Sequence, residues 1–291
     1  MYSNIEELVQ CAEKRHLALW QVILENECHL TQKTQKEIFA QLDERYQVML
    51  KSARKALEKP QKSVGNLISG VSYQQQLYSN NRDSLCGPEL NHIMAMALSA
   101  SEVNASMGKI CAAPTAGSCG ILPAVLIGVS EKYWLDRKTT LQGLLTASGI
   151  GTIIVKNATV SGAEGGCQAE CGVAAAMAAA AAVEMRNGSP RAAANAVAIV
   201  LMNCMGLVCD PIAGLVQVPC AQRNASQTIN ALVSADLALA GMESVIPPDE
   251  VVEAMYKVGK KLPTELKETA LGGLAATPTG KKLKEKLYQQ S

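Results

Sequence analysis

Apolar positions recur along this chain at intervals of three and four residues, the spacing that gathers side chains on one face of a helix. Between residues 3 and 59, Ile5, Leu8, Val9, Ala12, Leu19, Trp20, Ile23 and Leu24 fall on one stripe. Ile38, Leu42, Tyr46 and Met49 fall on a second. Ser3 and Glu6 have capping-box spacing, Thr31 can cap the second stretch, and Pro60 closes it. The pattern predicts a helical pair over residues 1–60, charged on its outer side, acting as an arm for packing or association.

Residues 62–86 are polar and contain Gly65 and Gly70, which predicts loops and a short helix. Pro88 opens the next helix at its favoured first position. A stretch of small residues, "KICAAPTAGSCGILP", follows and is too rich in turn formers to be one regular element. Further on come a helix, a glycine-rich loop at Ser161–Gly166, and a helix from about Gln168 to Arg186. Another helix is capped by Ser189 with Pro190 behind it, and one more starts at a proline in "SVIPPDEVVEAMYKVGKKLP". Strand-like alternation is missing; "TIIVK" is the one β-like run, and it is short. The expected fold is all-α: a compact multi-helix domain over residues 61–291 behind the N-terminal arm.

Composition narrows the function. Of 291 residues, 48% are hydrophobic but only 3% aromatic, so the apolar volume comes from Ala, Val, Leu, Ile and Met, which suits closely packed helices. A net charge of +1 and few rings leave neither a basic patch nor stacking platforms, which argues against nucleic acid as a partner. The most apolar span, Ala192–Cys220, is interrupted by Asn195, Asn203, Asp210, Pro211 and Pro219, so no membrane span is expected. The first residues, "MYSNIEELVQ", lack a basic segment followed by an apolar one, and a reducing cytoplasm is the expected compartment. There, ten cysteines point to free, catalytic or metal-bound thiols.

Position sorts those thiols. Cys167 stands behind glycines at the start of a helix, where N–H groups favour thiolate. Cys209 precedes Asp-Pro and Cys220 follows Val-Pro, so all three lie where the helical pattern breaks. Cys171 and Cys204 fall inside helical patterns and read as small buried residues. Paired Cys-x2–4-Cys zinc spacing is missing, and three isolated thiolates suit a [4Fe–4S] cluster with one open iron better than a closed structural site. On spacing alone, packing is the more ordinary explanation, and it stays open. Two explanations stand equally for "APTAGSCGILPAV", which can be an anion pocket leading into a helix or a tight interhelical turn; it lacks the P-loop pattern.

Together "ASMGKICAAPTAGSCGILPAVL", "VSGAEGGCQAECGVAAAMAAA", "LVCDPIAGLVQVPC" and "LGGLAATPTG" resemble, in the same order, the alpha chain of the iron–sulfur-dependent L-serine dehydratases. The resemblance runs from about residue 95 to residue 280 and carries little over the first sixty residues. It implies an all-helical catalytic domain, a [4Fe–4S] cluster on Cys167, Cys209 and Cys220, L-serine as substrate, and a separate beta chain as partner. With no cysteine after Cys220, substrate or water is expected at the fourth iron. Expected substrate contacts are Asn104, Thr115, Gly117, Ser118 and Ser161. His92 and Lys109 are the first candidates for the base that removes the α-proton, with Lys156, Glu164 or the beta chain as rivals. A pyridoxal-phosphate route is not expected, because neither a strand-rich pattern nor a phosphate loop near a lysine is present. The alternatives are an L-cysteine desulfidase using a similar cluster and a helical protein that only binds a partner.

Overall fold

The computed structural model describes residues 2–289, in which thirteen α-helices, a π-turn and short 3-10 turns account for the regular structure. Among the described residues no strand forms; the only β-type pairing is an isolated parallel bridge between Cys209 and Lys267. The fold is all-α.

The first sixty residues hold three helices rather than two: α1 (Ile5–Arg15), α2 (Leu19–Thr31) and α3 (Gln35–Glu58). The stripe through Leu24 keeps its phase but not its continuity, because His16 turns left-handed at φ 54° and ends α1. Capping also differs from expectation. Asn4, not Ser3, accepts the Glu7 N–H; Thr34, not Thr31, starts α3 in a reciprocal box with Glu37. The apolar faces of these helices join a core continuous with the rest of the chain, from Ile5 and Leu8 through Met49 to the alanines beyond residue 173.

Next come α4 (Val71–Ser79), α5 (Gly87–Ala105), α6 (Ile121–Tyr133) and α7 (Arg137–Asn157). The β-like "TIIVK" lies inside α7: its Ile153 and Ile154 are buried three and four residues after the buried Ile150, so tertiary packing overrides β-branching there. The short α8 (Gly162–Gly165) leads to a π-turn (Gln168–Gly172) and α9 (Val173–Met185). Every residue of α9 except Glu184 is buried, and α6, α7, α10 (Pro190–Cys204) and α11 (Cys220–Leu239) surround it. A helix apolar on all sides must be central. Alanine makes that possible, since its small side chain lets helix axes approach closely. The chain closes with α12 (Pro248–Lys261) and α13 (Pro278–Tyr288). Among the described residues, no helix is long and apolar enough to cross a membrane.

This packing places the amino ends of α9 and α11 together and lays the residue 115–120 loop and the irregular residue 205–219 segment beside them. That corner is where the chemistry collects.

Candidate active site

Each of the three thiols is delivered by a different backbone device. Cys167 directly precedes the π-turn, a wider turn that occurs in helices mostly at functional sites. Cys209 lies in an extended stretch after α10, pinned on both sides: its N–H donates to the Leu266 carbonyl at 2.9 Å, and its carbonyl accepts from Glu268 N–H at 2.8 Å. Cys220 is the first residue of α11. All three are buried, at 2%, 3% and 6% exposure, although they come from segments that share no helix.

Arg223, one turn into α11, ties these segments together. It donates to the Val208 carbonyl at 2.7 Å and to Asp210 Oδ1 at 2.8 Å, while Asp210 Oδ2 accepts the Leu274 N–H at 2.8 Å. Cys167 is held below the ordinary thiol range by its hydrogen bond with Cys171, whose sulfur lies 3.3 Å away, and by the Arg223 charge. Burial pushes Cys209 well up and Cys220 to about 12, and the charge of Cys167 adds to both. Three buried thiols within electrostatic reach of one another resist becoming thiolates until positive charge is placed among them.

That donor set is soft, sulfur-only and buried, which suits iron and sulfide better than a hard cation. Among the described residues, no three His, Cys, Asp or Glu side chains are arranged around a single metal ion. A cluster asks for only one protein thiolate per iron, so its ligands need not converge on one point.

A buried carboxylate meets the thiols. Glu170, in the π-turn, is 7% exposed, and its Oε1 accepts from Thr115 Oγ1 at 2.6 Å. Burial raises its pKa above the usual carboxylate value, against the Thr115 hydroxyl, which lowers it. Ser118 Oγ lies 3.0 Å from Thr115 Oγ1. A Cβ on Gly117 would stand 2.6 Å from Glu170 Oε1, so only glycine lets the loop close over the carboxylate. The 115–118 loop thus grips an anion, and the anion is the chain's own Glu170. Asn224 then locks loop to cysteine: it accepts from Gly120 N–H at 2.8 Å and donates to the carbonyls of Gly117 at 2.6 Å and Cys220 at 2.8 Å.

The structure brings Thr115, Gly117 and Ser118 into this corner, with Asn104 at its edge donating to the Ala116 carbonyl at 3.4 Å. Ser161 is exposed and starts α8 beside Gly162; a Cβ on Gly162 would lie 3.2 Å from Cys209 Sγ, from Glu170 Oε2 and from Glu268 Oε2.

His92 is not brought there. His92 sits twelve residues before Asn104 on α5, about 18 Å along the axis at 1.5 Å per residue. Its ring is engaged by Gln76 at 2.6 Å and Glu131 at 3.4 Å. Lys109 is exposed and lines a surface hollow with Glu44 and Arg45. Lys156 lines another hollow on α7, and Glu164 is held low by its hydrogen bond from Lys260 at 2.6 Å.

Sequence reasoning missed Glu170, Arg223, Asp210, Asn224 and Glu268. For two of them a signal was present: Glu170 and Arg223 are lone charges within a turn of a cysteine in otherwise small or apolar surroundings.

Comparison with known proteins identifies the family. The family model described as serine dehydratase alpha chain matches residues 14–275. An L-serine dehydratase alpha chain of Peptoniphilus asaccharolyticus is 50% identical over 100% of this chain and 99% of its own length. A probable L-serine dehydratase alpha chain of Bacillus subtilis (strain 168) is 46% identical over 99% of this chain and 96% of its own. An L-serine dehydratase of Escherichia coli (strain K12) is 35% identical over 94% of this chain, which spans 61% of that longer protein. With the family model covering most of its length and two relatives matched almost end to end, this chain belongs to the serine dehydratase alpha chain family.

Proposed function

We propose that this chain is the cluster-bearing half of an iron–sulfur-dependent L-serine dehydratase, a carbon–oxygen lyase that converts L-serine to pyruvate and ammonia. One observation carries the reading: three buried thiols from three separate segments gather around Arg223, beside a loop that holds a buried carboxylate. Cys167, Cys209 and Cys220 would hold a [4Fe–4S] cluster. When bound, that group supplies a Lewis acid able to draw electron density from a hydroxyl oxygen.

The chain's own residues do the rest. Arg223 and the amino end of α11 set a positive field across the thiols and favour their thiolate forms. Asn104, Gly117, Ser118 and Ser161 form the polar set facing the substrate's carboxylate end, with Thr115 acting through Glu170. Burial of the three thiols keeps water from them and strengthens every charge interaction in the corner. We assign the acceptor of the α-proton to the partner rather than to His92, which is engaged by Gln76, or Lys109, which lines the hollow with Glu44 and Arg45.

A separate beta chain is the partner we propose. The name alpha chain carried by two relatives supports it, as does the greater length of the E. coli relative, of which this chain spans 61%. The ten unpaired cysteines suit the reducing cytoplasm.

The test is iron and acid-labile sulfide on anaerobically reconstituted chain, with Cys167→Ala, Cys209→Ala and Cys220→Ala beside Cys171→Ala. Each of the first three should lose cluster iron while the fourth keeps it. Pyruvate release from L-serine should then appear when the beta chain is added, without pyridoxal phosphate. Iron-free protein after reconstitution would overturn the reading, and sulfide release from L-cysteine in preference to pyruvate from L-serine would move it to a desulfidase.

A further inference from the structure

Glu170 is held by neutral donors, the Thr115 hydroxyl at Oε1 and the Gly117 backbone N–H. Oε1 is taken by Thr115, whereas Oε2 accepts no side-chain hydrogen bond and turns toward Gly162. Glu268 Oε2 approaches the same place from the segment that pins Cys209, and Cys209 Sγ borders it. Gly162 keeps the space free, since a Cβ there would touch all three groups at 3.2 Å. Two carboxylates therefore face one small gap next to a candidate cluster thiol, and one of them is 93% removed from solvent (7% exposed). The nearby cation reaches Glu170 only through its charge, because the hydrogen bonds of Arg223 go to Val208 and Asp210. A buried carboxylate hydrogen-bonded only by neutral donors is further stabilised by an incoming cation that can donate hydrogen bonds.

We propose that Glu170, with Glu268 opposite, receives the α-ammonium group of the substrate, making this site selective for α-amino acids over the corresponding hydroxy acids. The inference rests on the dehydratase reading and names the residues that read the substrate's amine. Glu170 is a binding residue in this account. Thr115 and Gly117 position it, one by its hydroxyl and the other by leaving room.

The experiment compares L-serine with 3-hydroxypropanoate, which lacks the amine, as ligands of the anaerobically reconstituted chain together with its beta chain. Serine affinity is taken from saturation of pyruvate release, and 3-hydroxypropanoate affinity from competition against it. Direct binding to the protein provides the readout independent of turnover. In Glu170→Gln the preference for serine should fall by about tenfold or more, the scale of one charge-assisted hydrogen bond. The affinity for 3-hydroxypropanoate should stay within about threefold, because a neutral amide removes only the charge facing the amine. Iron content measured alongside shows that the variant is loaded. Equal losses for both ligands, or an unchanged preference, would overturn the proposal.

Glu268→Gln is an exposed change that spares the packed core, and it should reduce the same preference several-fold, about half the free energy of the first variant. If Glu170→Gln does not fold, this variant decides alone, and an unchanged preference refutes the inference. A wild-type protein that neither binds nor turns over L-serine would instead defeat the dehydratase reading.

Discussion

Replacing Asn224 by alanine tests how the loop at residues 115–120 is held against the cysteines. Asn224 is 1% exposed and makes three hydrogen bonds, to Gly120 N–H, the Gly117 carbonyl and the Cys220 carbonyl. The Cys220 carbonyl keeps its ordinary helical partner after the change, because Asn224 is four residues on. The other two groups lie in a loop too tight for water to enter freely. Each buried group left without a partner costs about 1–3 kcal/mol. The sum, about 2–6 kcal/mol, is a large part of the roughly 5–15 kcal/mol that holds a typical protein folded. In urea titrations of the full chain the midpoint should fall while the slope stays constant, as expected when stability changes and the surface exposed does not. Asn104→Ala is the control: its one 3.4 Å bond comes from a half-exposed side chain, and it should cost less than about 1 kcal/mol. Equal effects of the two substitutions, or an Asn224→Ala change below about 0.5 kcal/mol, would refute the claim that this side chain locks the loop. Loss of slope together with midpoint would show that the transition is no longer all-or-none, and the magnitude would then have to be measured by loop-specific hydrogen exchange.

Three other changes have definite outcomes. Gly162→Ala places a methyl group 3.2 Å from Cys209 Sγ and two carboxylate oxygens, so pyruvate release should fall at least about tenfold with iron content retained; unchanged turnover would show that the gap is not used. Arg223→Met leaves Asp210 buried without its charge partner, which costs about 3–5 kcal/mol, and iron retention should fall with it; Arg223→Lys should recover only part, since a flexible ammonium lacks the fixed fork with which the guanidinium holds Val208 and Asp210. Glu184 is raised by burial, with Thr146 and the Trp20 N–H as its partners. Its folded pKa lies above its unfolded one, so the native state binds the proton more tightly and this contribution to stability is lost as pH rises through the folded value. Glu184→Gln should therefore flatten the decline of melting temperature as pH rises above the ordinary carboxylate value, and raise stability there; parallel wild-type and variant curves would contradict the assignment.

Much of the fold was legible because helical periodicity is a strong signal, and the breaks in it were legible for the same reason. Cys167, Cys209 and Cys220 stood out by lying at such breaks, and the structure does bring those three segments to one corner. Helix phase, however, reports which face a residue occupies and not how far along the axis it lies. His92 fits the pattern of α5 yet stands about 18 Å from Asn104. The loop at residues 115–118 was readable as an anion pocket, but the anion that fills it comes from 55 residues away, a pairing no local pattern encodes. The helix boundaries near His16 and Thr34 shifted because caps are chosen by single side-chain bonds, and neighbouring polar residues compete for them.

Cys209 is clasped by a segment that follows it at a distance. Leu266 and Glu268 flank its backbone, and Leu274 holds the neighbouring Asp210 from 64 residues further along. During synthesis, helices α1 to α11 can emerge and pack while that clasp is still unmade. The thiol corner is therefore among the last parts of the molecule to take its shape, and its cysteines stay open and adjustable until the clasp shuts over them.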